Sequence, residues 1–170
     1  MKKSLLSAVA ISALALVLIA VMFVMNNGIF AARASGGGAL SIHVVEHART
    51  DTVGDFEHGA PSPDALGNVL AFHNPVFDAT DTQPVGVDNG QCTRTIADPT
   101  NGVWECFWTV ILSTGQITVE GPFNDNGTDT MLAITGGTGA YQAAHGQMRL
   151  HVHSTNPKPV KYDFFYQVEF

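Results

Sequence analysis

From Lys161 to Phe170 the chain alternates with period two: Tyr162, Phe164, Tyr166, Val168 and Phe170 fall on one parity, and Lys161, Asp163, Gln167 and Glu169 on the other. Residues i and i+2 share a face only on an extended strand, so this segment reads as a strand with one apolar and one solvated side. Gln147–His153 alternates in the same way. Further strands are predicted at Leu40–His47, Val69–His73, Gln91–Ile96, Trp104–Leu112, Gln116–Glu120 and Thr130–Ile134, with two shorter ones at Pro75–Asp78 and Pro84–Asp88. Gly, Pro, Asn and Asp separate these runs, and Ser113-Thr114-Gly115 has the composition of a tight hairpin turn. About eight short strands at regular spacing predict an all-β domain, either a closed antiparallel barrel or a sandwich. An eight-stranded barrel has room inside for side chains or for one small ligand.

The first stretch is different. Lys2 and Lys3 precede an apolar run from Leu5 to Met25, and Ala32-Arg33-Ala34 then offers a small-x-small exit. This predicts a secretory signal peptide over residues 1–34, cleaved after Ala34, with an uncleaved signal anchor as the alternative. A Gly-rich linker (residues 35–39) would lead into one domain over residues 40–170. The expected location is secreted or extracytoplasmic, or membrane-anchored and facing outside if the leader stays. Beyond the leader, five basic residues (Arg49, Arg94, Arg149, Lys158, Lys161) face all 15 acidic ones, a net charge of −10. Such a balance repels phosphate backbones, so no nucleic-acid partner is expected.

Cys92 and Cys106 flank the turn signal Asp98-Pro99-Thr100-Asn101-Gly102. A hairpin folded there sets them opposite each other, and export would favour a disulfide over two free thiols. Thr135-Gly136-Gly137-Thr138-Gly139 lacks the spacing of a phosphate or dinucleotide loop and reads as a tight strand exit, and no cofactor is called for. His43 and His47 share a strand face, as do His151 and His153, but no close-spaced ligand motif makes them a metal site. Asn124–Asp129 fails the calcium-loop spacing and reads as a hairpin loop that carries a formal sequon at Asn126. Asp51, Asp55, Glu57 and Asp64 fall in a Gly/Pro-rich segment that could guard a barrel mouth or simply be solvated. No Gly-x-Ser-x-Gly elbow supports acyl transfer.

Three ordered segments carry a family resemblance: Gln116–Phe123 with its Glu-Gly-Pro turn, Met131–Tyr141 with Leu-Ala-Ile-Thr-Gly-Gly, and Gly146–Leu150. Together with Leu66-Gly67-Asn68 through Asn74 and Val85-Gly86 through Cys92, they resemble the allene oxide cyclases, and the Thr-Gly-Gly-Thr-Gly core also resembles the dirigent proteins. The resemblance implies an eight-stranded antiparallel barrel with an apolar central cavity, often a homotrimer. In that family a buried glutamate and a cysteine flank the substrate, and an asparagine helps to hold a water. The best match puts Glu46 on the glutamate, Asp51 on a later aspartate and Cys92 on the cysteine; a slip of two residues would put Val44 at the glutamate position with the same side-chain direction. Ala48 replaces the water-holding asparagine, and an oxidised Cys92 could line a cavity but not act as a thiolate.

Glu46 is therefore the candidate catalytic group, with Cys92, Trp108, Tyr141, Phe164 and Tyr166 as candidate cavity liners. The expected partner is a small apolar molecule whose cyclisation or isomerisation the barrel steers by confinement. Two alternatives stand beside this: a dirigent-like protein that only orients reactive species, and a binding or structural module without catalysis.

Overall fold

The computed structural model describes residues 38–54 and 65–170. The predicted leader, most of the linker, and Asp55, Glu57 and Asp64 lie outside the described residues. The elements in chain order are β1 (Ala39–Ala48), β2 (Thr52–Gly54), β3 (Val69–Phe77), β4 (Pro84–Ile96), β5 (Val103–Leu112), β6 (Gly115–Asn124), β7 (Thr130–Gly139), β8 (His145–Ser154) and β9 (Val160–Glu169). Each of β3 to β9 pairs antiparallel with its sequence neighbour, and β9 pairs with β1 along its whole length. The ring closes where β1 meets β3 at Val45↔Phe77 and Glu46↔Val76. Short β2 then takes over that edge of β3, from Thr52↔Ala71 to Gly54↔Val69. With β1 and β2 counted as one broken stave, the fold is a closed eight-stranded antiparallel barrel, and the sandwich alternative is excluded.

Two pairs of predicted strands are single strands. Val69–His73 and Pro75–Asp78 merge into β3, and Pro84–Asp88 and Gln91–Ile96 merge into the 13-residue β4. Asn89-Gly90 reads as a break in sequence, but Gly90 continues the strand because Trp108 lies across it. A Cβ at Gly90 would sit 2.4 Å from Trp108 Cβ and 2.9 Å from the Phe107 carbonyl oxygen. These atoms belong to the neighbouring strand and have nowhere to move, so Gly90→Ala is expected to destabilise the domain by about 1–3 kcal/mol. Urea unfolding followed by tryptophan fluorescence checks this; an unchanged midpoint would refute it.

The predicted hairpin at Ser113–Gly115 is present as a two-residue turn with Leu112 paired to Gly115. The glycine-rich strand exit is also a matter of backbone contact. Gly139 has φ 62°, and a Cβ at Gly137 would lie 2.4 Å from the Tyr141 carbonyl oxygen. Strand alternation fills the barrel with Trp104, Trp108, Ile117, Leu132, Met148 and Tyr166, all at most 4% exposed.

Candidate functional site

The break between β1 and β2 builds the site. Arg49 and Thr50 leave the ladder, and their backbone N–H groups donate to Asn74 Oδ1 at 2.8 and 2.9 Å. The Asn74 amide nitrogen then donates to Glu46 Oε1 (2.5 Å) and to Asp51 Oδ1 (2.7 Å). One side chain on β3 thus caps the broken strand and gathers two carboxyl groups. Asn74 is fully buried and Glu46 is 5% exposed, whereas Asp51 lies at the surface.

Asp88, paired with Asn74 across β3 and β4, adds a third carboxyl group behind this pair. It is 0% exposed, and neither oxygen makes a hydrogen bond of good geometry. The backbone N–H groups of Asn74 and of Asp88 itself offset only part of that burial, and the carboxyl pKa is pushed up to about 8. Glu46 is raised well above the ordinary range, first by burial and then by the charge of Asp88, against the opposing pull of the Asn74 hydrogen bond. Burial and the same carboxylates push the phenols of Tyr162 and Tyr166 upward too. At neutral pH the Asp88 carboxyl is therefore mostly protonated and both phenols are neutral.

Glu46 and Asp51 open onto a cleft whose other walls include Leu70, Phe72, Cys92, Cys106, Trp108, Phe123, Leu150, Tyr162 and Phe164. Counted to its open mouth it holds about 350 Å³ of empty space, but its cavity proper is about 40 Å³. That is room for a water or two, and a ring-sized ligand would have to turn side chains at the half-buried mouth, where Phe123 and Tyr162 sit edge to face at 5.7 Å. Trp108 and Phe164 meet at 5.4 Å in the floor. Cys92 and Cys106 face each other across β4 and β5, as the turn between them predicts, and form a disulfide in the wall.

Of the candidate residues, Glu46, Cys92, Trp108 and Phe164 meet at this cleft. Tyr141 and Tyr166 do not line it. Tyr141 lies at the opposite end of the barrel with its hydroxyl 2.9 Å from Thr114 Oγ1. Tyr166 packs edge to face on Phe164, and its hydroxyl approaches the Trp108 indole N–H without closing a hydrogen bond. Parity fixes which side chains point inward, but not how deep along the barrel each one sits. Asn74 and Asp88 were missed as site residues, although each is a polar residue on the inward parity of its strand, next to Phe72 or Cys92.

The described histidines are engaged on the outer face. His43 and His153 approach different oxygens of Asp163 (2.7 and 2.9 Å), His47 lies 2.6 Å from Asp81, and His151 2.7 Å from Asp129. Among the described residues no three His, Cys, Asp or Glu side chains converge where a metal ion could sit.

Comparison with known proteins agrees with this architecture. A pyocyanin demethylase of solved structure is 24% identical, with a TM-score of 0.59 over 75% of this chain and 100% of its own. A pterocarpan synthase dirigent protein is 15% identical, with a TM-score of 0.65 over 81% of this chain and 87% of its own. A Diels–Alderase from Streptomyces koyangensis is 9% identical, with a TM-score of 0.57 over 82% and 72%. These likenesses establish the fold. The family model described as allene oxide cyclase matches residues 41–168, nearly all of the barrel, and the chain therefore belongs to the allene oxide cyclase family.

Proposed function

We propose that this barrel is an exported small-molecule protein that binds an apolar, ring-forming ligand and steers its cyclisation or isomerisation. The observation that carries the reading is the placement of a buried carboxyl group, Glu46, at an aromatic-walled cleft inside the barrel of an allene oxide cyclase family member. Confinement in such a cleft favours one reactive conformer and keeps water away, and Glu46 supplies a proton donor held in place by Asn74. The structural neighbours include a pterocarpan synthase dirigent protein and Diels–Alderases, whose names denote ring-forming chemistry. A trimer, as the family resemblance implies, would leave this reading unchanged.

Two observations favour a second reading, in which the barrel only holds and orients its ligand. Ala48 offers no side-chain hydrogen bond where the family places an asparagine, and Cys92 is locked in a disulfide and cannot act as a thiolate. Native mass spectrometry of protein purified from its own host tests the shared core of both readings. A co-purified apolar small molecule is the expected result. An emptied barrel that also fails to bind a broad panel of apolar compounds would overturn the proposal. Conversion of the released molecule by the purified protein alone separates catalysis from mere orientation.

A further inference from the structure

Among the described residues, the acid groups at the cleft have no basic partner. Glu46 and Asp51 line the cleft and Asp88 lies behind them, yet no Lys, Arg or His is among the lining residues. The described groups facing Glu46 are Asp51 beyond β1, Asn74 on β3, Asp88 on β4, and Tyr162 and Tyr166 on β9, none of them cationic. Arg94, the basic residue buried on the inward face of β4, stacks over Trp104 at 4.1 Å and pairs with Asp125, which also accepts from Trp104 Nε1 at 3.0 Å. Lys161 is tied to Asp81 on the outer face. A buried carboxylate with no counter-charge is costly, so an arriving positive charge would favour the ionised form of Glu46 and Asp88. The remaining walls are the faces and edges of Phe72, Trp108, Phe123, Tyr162 and Phe164, the surroundings in which a cation is attracted to aromatic rings.

We propose that the cleft, once the side chains at its mouth turn, takes a cationic aromatic ligand, whose positive charge supplies the counter-ion that buried Glu46 and Asp88 lack among the described residues. A carboxylate ligand is disfavoured by the same groups. This rests on the small-molecule reading above and narrows it to one charge class. Binding of the cation draws protons off the buried acids, so affinity rises with pH across the range in which they would otherwise stay neutral.

Three bicyclic probes of similar size test the proposal: 1-methylquinolinium, neutral quinoline and 2-naphthoate, titrated against the purified protein by calorimetry at pH 6 and pH 8. The expected result is binding of 1-methylquinolinium at least tenfold tighter than 2-naphthoate. Its affinity should increase at least tenfold from pH 6 to pH 8, with proton release seen as a dependence of the heat on buffer ionisation enthalpy. The double variant Glu46→Gln, Asp88→Asn, with its fold checked by circular dichroism, is expected to lose both the preference and the pH dependence. Binding of quinoline or 2-naphthoate as tight as that of the cation would overturn the charge assignment and leave the small-molecule reading standing. Failure of all three probes to bind, together with no co-purified molecule, would remove both.

Discussion

Asp88→Asn is expected to raise the stability of the domain at pH 8 by several kcal/mol and to leave it nearly unchanged at pH 4. Asp88 is 0% exposed, its oxygens lack good hydrogen bonds, and its pKa moves from an ordinary 3.8 to about 8. Between those two values the unfolded chain has released this proton and the folded chain has kept it. The folded state then binds more protons than the unfolded state, and stability falls as pH rises. The contribution is fully present below the unfolded pKa and is lost as pH climbs to the folded one. Four units at ~1.4 kcal/mol each set a ceiling of roughly 5 kcal/mol, part of it shared with Glu46, which is raised in the same direction. Asparagine has a similar shape and never ionises, so the penalty disappears. The acid limb has other causes: hydrogen bonds hold Asp78 down to about 2 and lower Asp98 and Asp129, so their contribution is lost as pH falls below the ordinary carboxylate range. Wild-type stability should therefore peak on the acid side of neutrality. Urea unfolding at pH 4, 6 and 8 decides the matter, and equal pH slopes for variant and wild type would contradict the assignment. A residue that costs stability at neutral pH and remains in the barrel fits a group kept for binding.

The sequence was most legible where one interaction decides the outcome. Tyr162, Phe164, Tyr166 and Val168 alternate because one side of β9 faces the core, and no tertiary detail could reverse that pattern. The turn signal between Cys92 and Cys106 places them opposite each other, the export predicted from the leader favours their oxidation, and they are direct cross-strand partners. The family resemblance chose the barrel over the sandwich, a decision periodicity could not make. It was the closing contact of β1 with β3, only two residue pairs long, that lay beyond local reading. The site was half legible for the same reason. Glu46 could be named from its motif, but its partner Asn74 lies on β3 and Asp88 on β4, joined to it only by closure of the ring. Tyr141 points inward but sits at the other end of the barrel, because inward direction says nothing about which end a residue occupies. Asp88 itself broke the expectation that buried positions are apolar, the kind of local inconsistency that tends to fall at functional sites.

Removing the disulfide by Cys92→Ala with Cys106→Ala is expected to cost about 3 kcal/mol, which for a domain of this size lowers the melting temperature by ~10 °C. The bond spans a sequence separation of 14, and its main effect is to restrict the unfolded chain. The native hairpin does not need the bond to find its register. Asp98 Oδ1 already accepts from the N–H groups of Thr100 and Asn101, both at 2.7 Å, and the Arg94, Trp104 and Asp125 cluster clamps the same end. The variant should therefore keep its fold, lose stability, and unfold with a somewhat steeper dependence on urea concentration, because its unfolded chain is less compact. Both sulfurs also line the cleft, so the two alanines widen it. Larger apolar probes should then bind better to the variant than to the wild type at a temperature where both are folded. A melting temperature within about 2 °C of wild type would show that the unfolded chain gains little freedom from the break. A variant that loses probe binding altogether while staying folded would instead make the disulfide wall part of the binding surface, and place Cys92 beside Glu46 in the recognition of the ligand.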